Sequence, residues 1–440
     1  MPRSFWLFAI VVSGVFGCAR PAEPPSKARG DAVTLEASAS SRYLRADTRA
    51  PVLVEVAVGV RPLERAGRPP ANLALVVDTS GSMEGKPIED ARAAATALLD
   101  ALSPKDRLAV VVFNSKTDVL LSSTLIDDAD LKDVRAKIAA IPAEGTTDMA
   151  SGLEAGVREV AAHLDADGIN RVILLGDGVP NDASRMGAIA QSAAASGVSV
   201  TALGLGPDYN ETLMGRLAQV TGGRFQYVED SSKVASFFKE EVARLQRTYA
   251  RDAWLELTAG PGVAIDGVIG QATERTSTGV RVHVGDLALG EKMDVVVKLT
   301  VDERKAGAAV ELMDAVLRFT EGTGGAAAER RAFVGAHATS DPAKVSSGRN
   351  AEVEAAAVRA QDAADTLERI RIARESDAPK QPVPRAPASP SPAPAQAKDV
   401  AVEGEKAQAP GGQGAAAAPA VSPENVRRQH DDAMRVLQKH

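Results

Sequence analysis

Short apolar runs alternate with longer amphipathic runs through the middle of the chain. Five apolar runs predict buried strands, at residues 73–77, 108–113, 172–175, 198–205 and 225–228. The runs around them predict helices, at 87–102, 129–140, 149–164, 184–196, 211–221 and 231–246. Near-continuous apolar strands are typical of a parallel sheet that is covered on both faces. Repeated strand–helix units therefore predict an α/β fold over residues 71–249, with a doubly wound, mostly parallel, Rossmann-like sheet.

Two flanking regions instead alternate apolar and polar residues, the pattern of half-buried strands. Before the sheet, residues 32–39 and 51–60 show it, with valine at every second position from Val52 to Val58. After the sheet, strands are predicted at 254–258, 263–268, 279–284, 292–301 and 309–319. We expect residues 250–335 to form a small β-sandwich. The strands of residues 32–70 could join it, because they would otherwise expose an apolar face.

The C-terminal part of the chain is predicted to be a helical, partly disordered tail. Residues 347–376 form a helical pattern rich in Ala, Glu and Arg. Residues 377–422 are a Pro-, Ala-, Gln- and Gly-rich linker, with too few large apolar residues to fold. Residues 423–440 predict a short helix, which we expect to pair with the first helix across the linker.

Charge and composition exclude several classes of function. The 440 residues carry a formal net charge of −7, whereas a dedicated nucleic-acid binder would normally show a basic face. One cysteine excludes an internal disulfide framework and a Cys-rich zinc site. The five histidines lie far apart, without the spacing of metal ligands. We therefore expect no nucleic-acid partner.

The single cysteine, Cys18, follows an apolar run at residues 5–17. A run of about 13 residues fits the apolar part of a signal peptide, whereas a membrane-spanning helix needs about 20. Residues 15–18, Val-Phe-Gly-Cys, resemble a bacterial lipobox. This resemblance implies a signal peptide at 1–17, a lipidated Cys18 and a tether at 18–31. It places the protein in the bacterial envelope, with the outer membrane favoured in a Gram-negative cell because Ala19 is not Asp. The alternative is an ordinary secretory signal with an incidental cysteine.

Carboxylate and hydroxyl side chains follow two of the predicted strands. Asp78, Ser80 and Ser82 alternate after the first strand, and side chains two residues apart in extended backbone point to the same side. Asp177 follows the strand at 172–175, at the edge where such sheets bind ligands. Oxygen donors of this kind suit a hard cation such as Mg²⁺. The alternative is a polar loop with turn and capping roles.

These loops, with Thr147 before the third helix, resemble the metal-ion-dependent adhesion site of the von Willebrand factor type A domain. The resemblance covers residues 72–249. It implies that Ser80, Ser82 and Thr147 are direct hydroxyl ligands of a divalent cation, with Asp78 and Asp177 acting mainly through bound waters. Mg²⁺ is the expected ion, and Mn²⁺ or Ca²⁺ are alternatives.

The threonine ligand is open between two neighbours, Thr146 and Thr147. Thr147 is preferred because Thr147, Asp148 and Met149, followed by Gly152 and Leu153, match the family's run from a threonine into Gly-Leu. The preceding residues depart from the family's common Gly-Gly pair, which leaves Thr146 as the alternative.

Neutral hydroxyl ligands leave the charge of a cation undercompensated, so an open position favours an Asp or Glu of a partner protein. The sequence thus predicts an envelope-anchored, metal-dependent protein-binding module of the adhesion or scaffold type, attached to the membrane by lipid and not an enzyme. One alternative is a scaffold of an envelope assembly, in which the metal only stabilises the fold. The other is a metal-dependent hydrolase, but the sequence has no Walker loop, nucleophile elbow or His-Glu-x-x-His motif.

The flanking regions further resemble bacterial proteins of the chloride-channel-regulator and inter-alpha-trypsin-inhibitor types.

Overall fold

The computed structural model describes residues 32–63, 68–177, 184–205, 210–322, 325–377 and 423–438. The strands are β1 (Val33–Ala39), β2 (Tyr43–Arg45), β3 (Ala50–Val60), β4 (Ala71–Asp78), β5 (Arg107–Phe113), β6 (Thr117–Leu125), β7 (Ile169–Gly176), β8 (Ser199–Leu205), β9 (Arg224–Val228), β10 (Thr248–Ala259), β11 (Val263–Val268), β12 (Glu274–Arg275), β13 (Gly279–Ala288), β14 (Lys292–Val301), β15 (Ala309–Glu321) and β16 (Ala326–Thr339). The helices are α1 (Lys86–Ala101), α2 (Leu131–Ala139), α3 (Met149–Ala161), α4 (Ser184–Ala195), α5 (Glu211–Val220), α6 (Val234–Arg247), α7 (Pro342–Ser347), α8 (Ala351–Asp377) and α9 (Pro423–Leu437). The predicted signal peptide, Cys18, the tether and nearly all of the predicted linker lie outside the described residues.

Six strands form the central sheet, in the order β6-β5-β4-β7-β8-β9. All neighbours are parallel except β5 and β6. One face packs on α1, α2 and α6, and the other packs on α3, α4 and α5. Every residue of β4 and β8 is buried, because helices cover both faces of the sheet. The predicted doubly wound α/β fold is confirmed, and we call this unit the α/β domain.

Two further sheets pack face to face as a β-sandwich. One has the order β1-β3-β14-β11 and the other has the order β12-β13-β10-β15-β16-β2. The alternating valines of β3 point into the core between the sheets, where none is more than 3% exposed. The chain leaves the sandwich after β3 and returns to it directly from α6 into β10. The α/β domain is therefore an insertion within the sandwich.

Four strands were not predicted in the two domains: the short β2, β6, β16 and the two-residue β12. In β6, only one of the nine residues is buried, so its sequence lacks an apolar run. In β16, the first eight residues are exposed or half-buried and rich in alanine and charge. β16 also carries the sandwich beyond the predicted end at residue 335, as far as Thr339.

The α/β domain and the sandwich meet around a buried ionic cluster. Arg171 of β7 is 1% exposed and pairs with Glu241 of α6 and with Asp286 of β13, the second contact at 2.6 Å. Close beside it, Gly222 of the α/β domain and Gly285 of the sandwich touch backbone to backbone. Both glycines have positive φ, 62° and 70°. A charge network and a close backbone contact thus join the two domains.

The helix predicted at 347–376 corresponds to α8, and the short α7, which was not predicted, precedes it. Asp341 caps the short α7, which ends at Ser347, and α8 begins at Ala351. Small side chains of α8 pack against Ala433 and Leu437 of α9. α9 also lies along the edge of β9, where the Tyr227 N–H donates to Asp431 Oδ1 at 3.2 Å.

Within the described part of the chain, no helix combines the length and the apolar character needed to cross a bilayer.

Candidate metal-binding site

The first loop of the site begins where β4 ends. The backbone N–H of Thr79 donates to the carbonyl oxygen of Phe113 at 2.8 Å, which ties the loop to the end of β5. The next N–H, of Ser80, donates to Asp78 Oδ1 at 2.8 Å. A short 3₁₀ turn at Gly81–Met83 then leads to α1. These bonds fix the direction of each side chain in the loop.

Side chains from this loop reach the end of the neighbouring strand, β7. The Oγ atoms of Ser80 and Ser82 lie 3.0 Å apart. Ser82 Oγ then donates to Asp177 Oδ1 at 2.8 Å. The structure thus gathers Asp78, Ser80, Ser82 and Asp177, because β4 and β7 are adjacent parallel strands whose carboxyl ends meet at one edge.

The segment before α3 packs directly on the first loop. The N–H of Gly81 donates to the Gly145 carbonyl at 3.1 Å, and the N–H of Glu144 donates to the Thr79 carbonyl at 2.7 Å. Gly145 has a φ of 83°, and an added Cβ would come within 2.9 Å of a neighbouring serine oxygen. Thr147 is 8% exposed, whereas Thr146 is open to solvent. The packing therefore encloses Thr147 beside the first loop.

One residue near the site, Asn114, was not anticipated from the sequence. The Asn114 carbonyl accepts from the Asp148 N–H at 2.8 Å, and its Nδ2 donates to Thr79 Oγ1 at 3.3 Å. Asn114 thus joins the first loop to the segment before α3. Its place one residue after the end of β5 is the sequence signal that could have found it. Asp148 itself caps α3, accepting from the N–H of Ser151 at 3.1 Å.

Asp78 is the most unusual group of the site. It is fully buried, and its Oδ2 accepts no hydrogen bond of ordinary geometry from the residues that the structure describes. Burial, and to a smaller extent the nearby Asp177 carboxylate, raises the pKa of Asp78 to about 6 against the opposing hydrogen bonds from Ser80. A buried carboxylate oxygen without a donor is costly unless a cation lies beside it.

The donors around Asp78 fit a hard divalent cation. The two carboxylates and the hydroxyls are all oxygen ligands. Mg²⁺, Mn²⁺ and Ca²⁺ prefer oxygen ligands, whereas soft metal ions prefer sulfur or nitrogen. No cluster of three or more His, Cys, Asp or Glu side chains occurs at metal-binding separation in the described residues. A cation at this site would therefore depend on hydroxyl oxygens as well as carboxylates.

Sequence comparison places this arrangement in a known family. Residues 72–240 match the von Willebrand factor type A domain. The chain contains a von Willebrand factor type A domain. Domains of this family are typically protein-interaction or adhesion modules, generally non-enzymatic, and they commonly bind a divalent metal at the carboxyl edge of the sheet.

Relatives of the chain include two bacterial proteins and one human protein. The uncharacterized protein sll0103 of Synechocystis is 27% identical over 266 residues, which are 58% of this chain and 63% of that protein. The uncharacterized protein YfbK of Escherichia coli is 27% identical over 253 residues, 54% of this chain and 43% of its own. Inter-alpha-trypsin inhibitor heavy chain H4 of Homo sapiens is 29% identical over 188 residues, which are 40% of this chain and 20% of that protein. The chain thus spans less than two thirds of each of these proteins.

The similarity to solved structures extends beyond the type A domain. A von Willebrand factor type A protein from Catenulispora acidiphila superposes with a TM-score of 0.64 at 18% identity, covering 78% of this chain and 82% of that chain. The ArnB paralog VWA2 from Sulfolobus acidocaldarius gives 0.56 at 17% identity, covering 79% and 87%. Since the type A domain is under half of the chain, a match of this extent includes part of the flanking sandwich.

Proposed function

We propose that this protein binds a partner protein through a divalent cation held by its type A domain. Ser80, Ser82 and Thr147 would supply hydroxyl oxygens, and Asp78 and Asp177 would supply carboxylates. The cation, Mg²⁺ in the first instance, would supply an electrophilic position for an acidic side chain of the partner. The residues of this chain orient that position and keep bulk water from the buried side of the site.

The observation that carries the proposal is Asp78 Oδ2, which has no hydrogen-bond partner among the described residues. Asp78 is wholly buried, while the hydroxyls of Ser80 and Ser82 and the carboxylate of Asp177 line up beside it. A protein rarely leaves a buried carboxylate oxygen without a donor, so this atom points to a positive charge that the fold is built to accept. Neutral hydroxyl ligands leave part of that charge for an external carboxylate.

The first test is metal binding by the full chain. Thermal unfolding is expected to shift upward with Mg²⁺, Mn²⁺ or Ca²⁺, since an ion at about 100 times its dissociation constant stabilises the folded state by about 2.7 kcal/mol. Asp78→Asn is expected to abolish the shift, because it removes the buried charge with little change in shape. The exposed Asp100 provides the matched control, and Asp100→Asn should retain the full shift.

Direct binding of Mn²⁺, followed by electron paramagnetic resonance, separates an absent site from a weakly stabilising one. One bound ion per chain in the wild type and none in Asp78→Asn supports the proposal. Equal binding by both proteins would place the ion elsewhere, and no binding by either would refute metal dependence. Acidic partners would then have to be captured without a cation.

We further propose that lipid on Cys18 anchors the protein in a bacterial envelope, outside the cytoplasm. The support is the apolar run that ends at the sole cysteine of the chain. Cys18→Ala is expected to move the protein from the membrane fraction to the soluble fraction of the expressing cell and to prevent incorporation of a labelled fatty acid. Unchanged labelling of the variant would exclude Cys18 as the acceptor.

A further inference from the structure

His283 lies where the type A domain meets the sandwich, on β13. Its side chain is 6% exposed. Its Nδ1 is 3.1 Å from the carbonyl oxygen of Val220, at the end of α5. Its Nε2 is 2.9 Å from Asp252 Oδ1, on β10. One imidazole ring therefore bridges the two domains.

Both atoms that face the ring nitrogens are acceptors. A carbonyl oxygen and a carboxylate oxygen cannot donate, so each nitrogen must carry a proton for both bonds to exist together. Turning the ring by 180° does not change this conclusion, because carbon atoms would then face both oxygens and both bonds would be lost. The two bonds can therefore coexist only when the ring is an imidazolium.

The surroundings of His283 favour a positive charge. The Val220 carbonyl belongs to the last turn of a ten-residue helix, where the helix dipole attracts cations. Asp252 adopts a φ of 44°, a region that non-glycine residues rarely enter, while its carboxylate faces the ring. Burial alone would raise the pKa of Asp252, but the hydrogen bond and charge of His283 hold it below its usual value.

A neutral imidazole can keep only one of the two bonds. The carboxylate of Asp252 is the stronger acceptor, so the remaining proton stays on Nε2. The bare Nδ1 then faces the Val220 oxygen at a distance where two lone pairs repel. Deprotonation therefore breaks the contact to α5 and leaves the contact within the sandwich in place.

We propose that His283 is a pH-sensitive latch between the type A domain and the sandwich, closed by the imidazolium and released from α5 by the neutral ring. Besides Asp252, the charged residues that line the two cavities bordering His283 are Asp165, Arg216, Arg251, Glu274, Arg281, Asp286, Glu368 and Arg371, together with His430.

Nuclear magnetic resonance of the ¹⁵N-labelled full chain reads the protons of the ring directly. At pH 6 both nitrogens of His283 are expected to be protonated, and at pH 8 only Nε2. His283→Gln identifies the signals by their loss. A bare nitrogen at pH 6, or a proton on Nδ1 alone at pH 8, overturns the proposal.

Hydrogen exchange then tests the consequence for α5. The amides of residues 221–223 close the end of this helix. After correction for the intrinsic effect of pH, they are expected to exchange roughly fivefold faster at pH 8 than at pH 6, the effect of one lost hydrogen bond. His283→Gln should remove this difference. His337→Gln, in a histidine of β16 beside Tyr43, should preserve it. A difference that persists in His283→Gln contradicts the latch.

Discussion

Replacing Arg171 with methionine is expected to lower the free energy of unfolding by about 3–5 kcal/mol, the usual cost of removing one partner from a buried ion pair. Arg171 is enclosed between the two domains, where it contacts Glu241 and Asp286 and donates to Ser199 Oγ at 3.1 Å. Methionine fills a similar volume but removes the buried cation that pairs with both carboxylates. Urea titration of the full chain measures the loss.

A surface ion pair supplies the control for this substitution. Arg135 contacts Asp100 at 2.6 Å, but both side chains are about half exposed. Arg135→Met should therefore cost less than about 1 kcal/mol. Equal losses of unfolding free energy at both positions would mean that burial does not increase the contribution of the Arg171 cluster to stability.

The same cluster sets the expected dependence of stability on acid. Burial raises the pKa of Glu241, but the charges of Arg171, Arg244 and Arg224 outweigh it and lower the pKa to about 2. Because the unfolded carboxyl titrates near 4.5, the stabilisation is present above that pH and is lost as the pH falls toward 2. In Arg171→Met the folded-state pKa of Glu241 should move back toward 4.5, so less stability should be lost as the pH falls through this range.

Substituting alanine for Gly285 is expected to destabilise the protein by about 2–5 kcal/mol, the sum of a left-handed backbone penalty and an overpacking cost. Gly285 has a φ of 70°. A Cβ at this position would overlap the carbonyl oxygen of Gly222 in the other domain. Backbone cannot swing aside as a flexible side chain can, so the domains would have to separate locally. Thermal and urea unfolding both report the change.

Gly290 separates the two contributions to this effect. It lies in the turn after β13 with a φ of 86°, but nothing lies within 4 Å of its added Cβ. Gly290→Ala should cost only the backbone penalty, about 1–2 kcal/mol. If Gly285→Ala costs no more than this, the contact between the two glycines does not hold the domains together.

The sequence predicts the sheet of the type A domain well because burial on both faces leaves continuous apolar runs. The gathering of Asp78, Ser80, Ser82 and Asp177 follows from the same pattern. Each residue lies at the carboxyl end of a strand, and parallel strands bring those ends to one edge. Local pattern and chain topology therefore lead to the site together.

The junction between the domains could not be predicted in this way. Arg171 lies 70 residues from Glu241 and 115 residues from Asp286 along the chain. A charged residue in a strand or amphipathic helix normally indicates a solvated position. The contacts of His283 could not be predicted for the same reason, since Val220 and Asp252 belong to different domains. Only the packing of one domain on the other turns these residues into a connected network.

The insertion of the type A domain imposes an order on synthesis. β3 pairs with β14, and these strands are separated in the chain by the whole inserted domain. All strands of the type A sheet leave the ribosome before β14 does, so this domain can fold while β3 has only β1 as a neighbour. Pairing over such a separation is slow, because a long loop must close before any contact is gained. The valine-rich edge of β3 is therefore the segment most in need of protection during biogenesis.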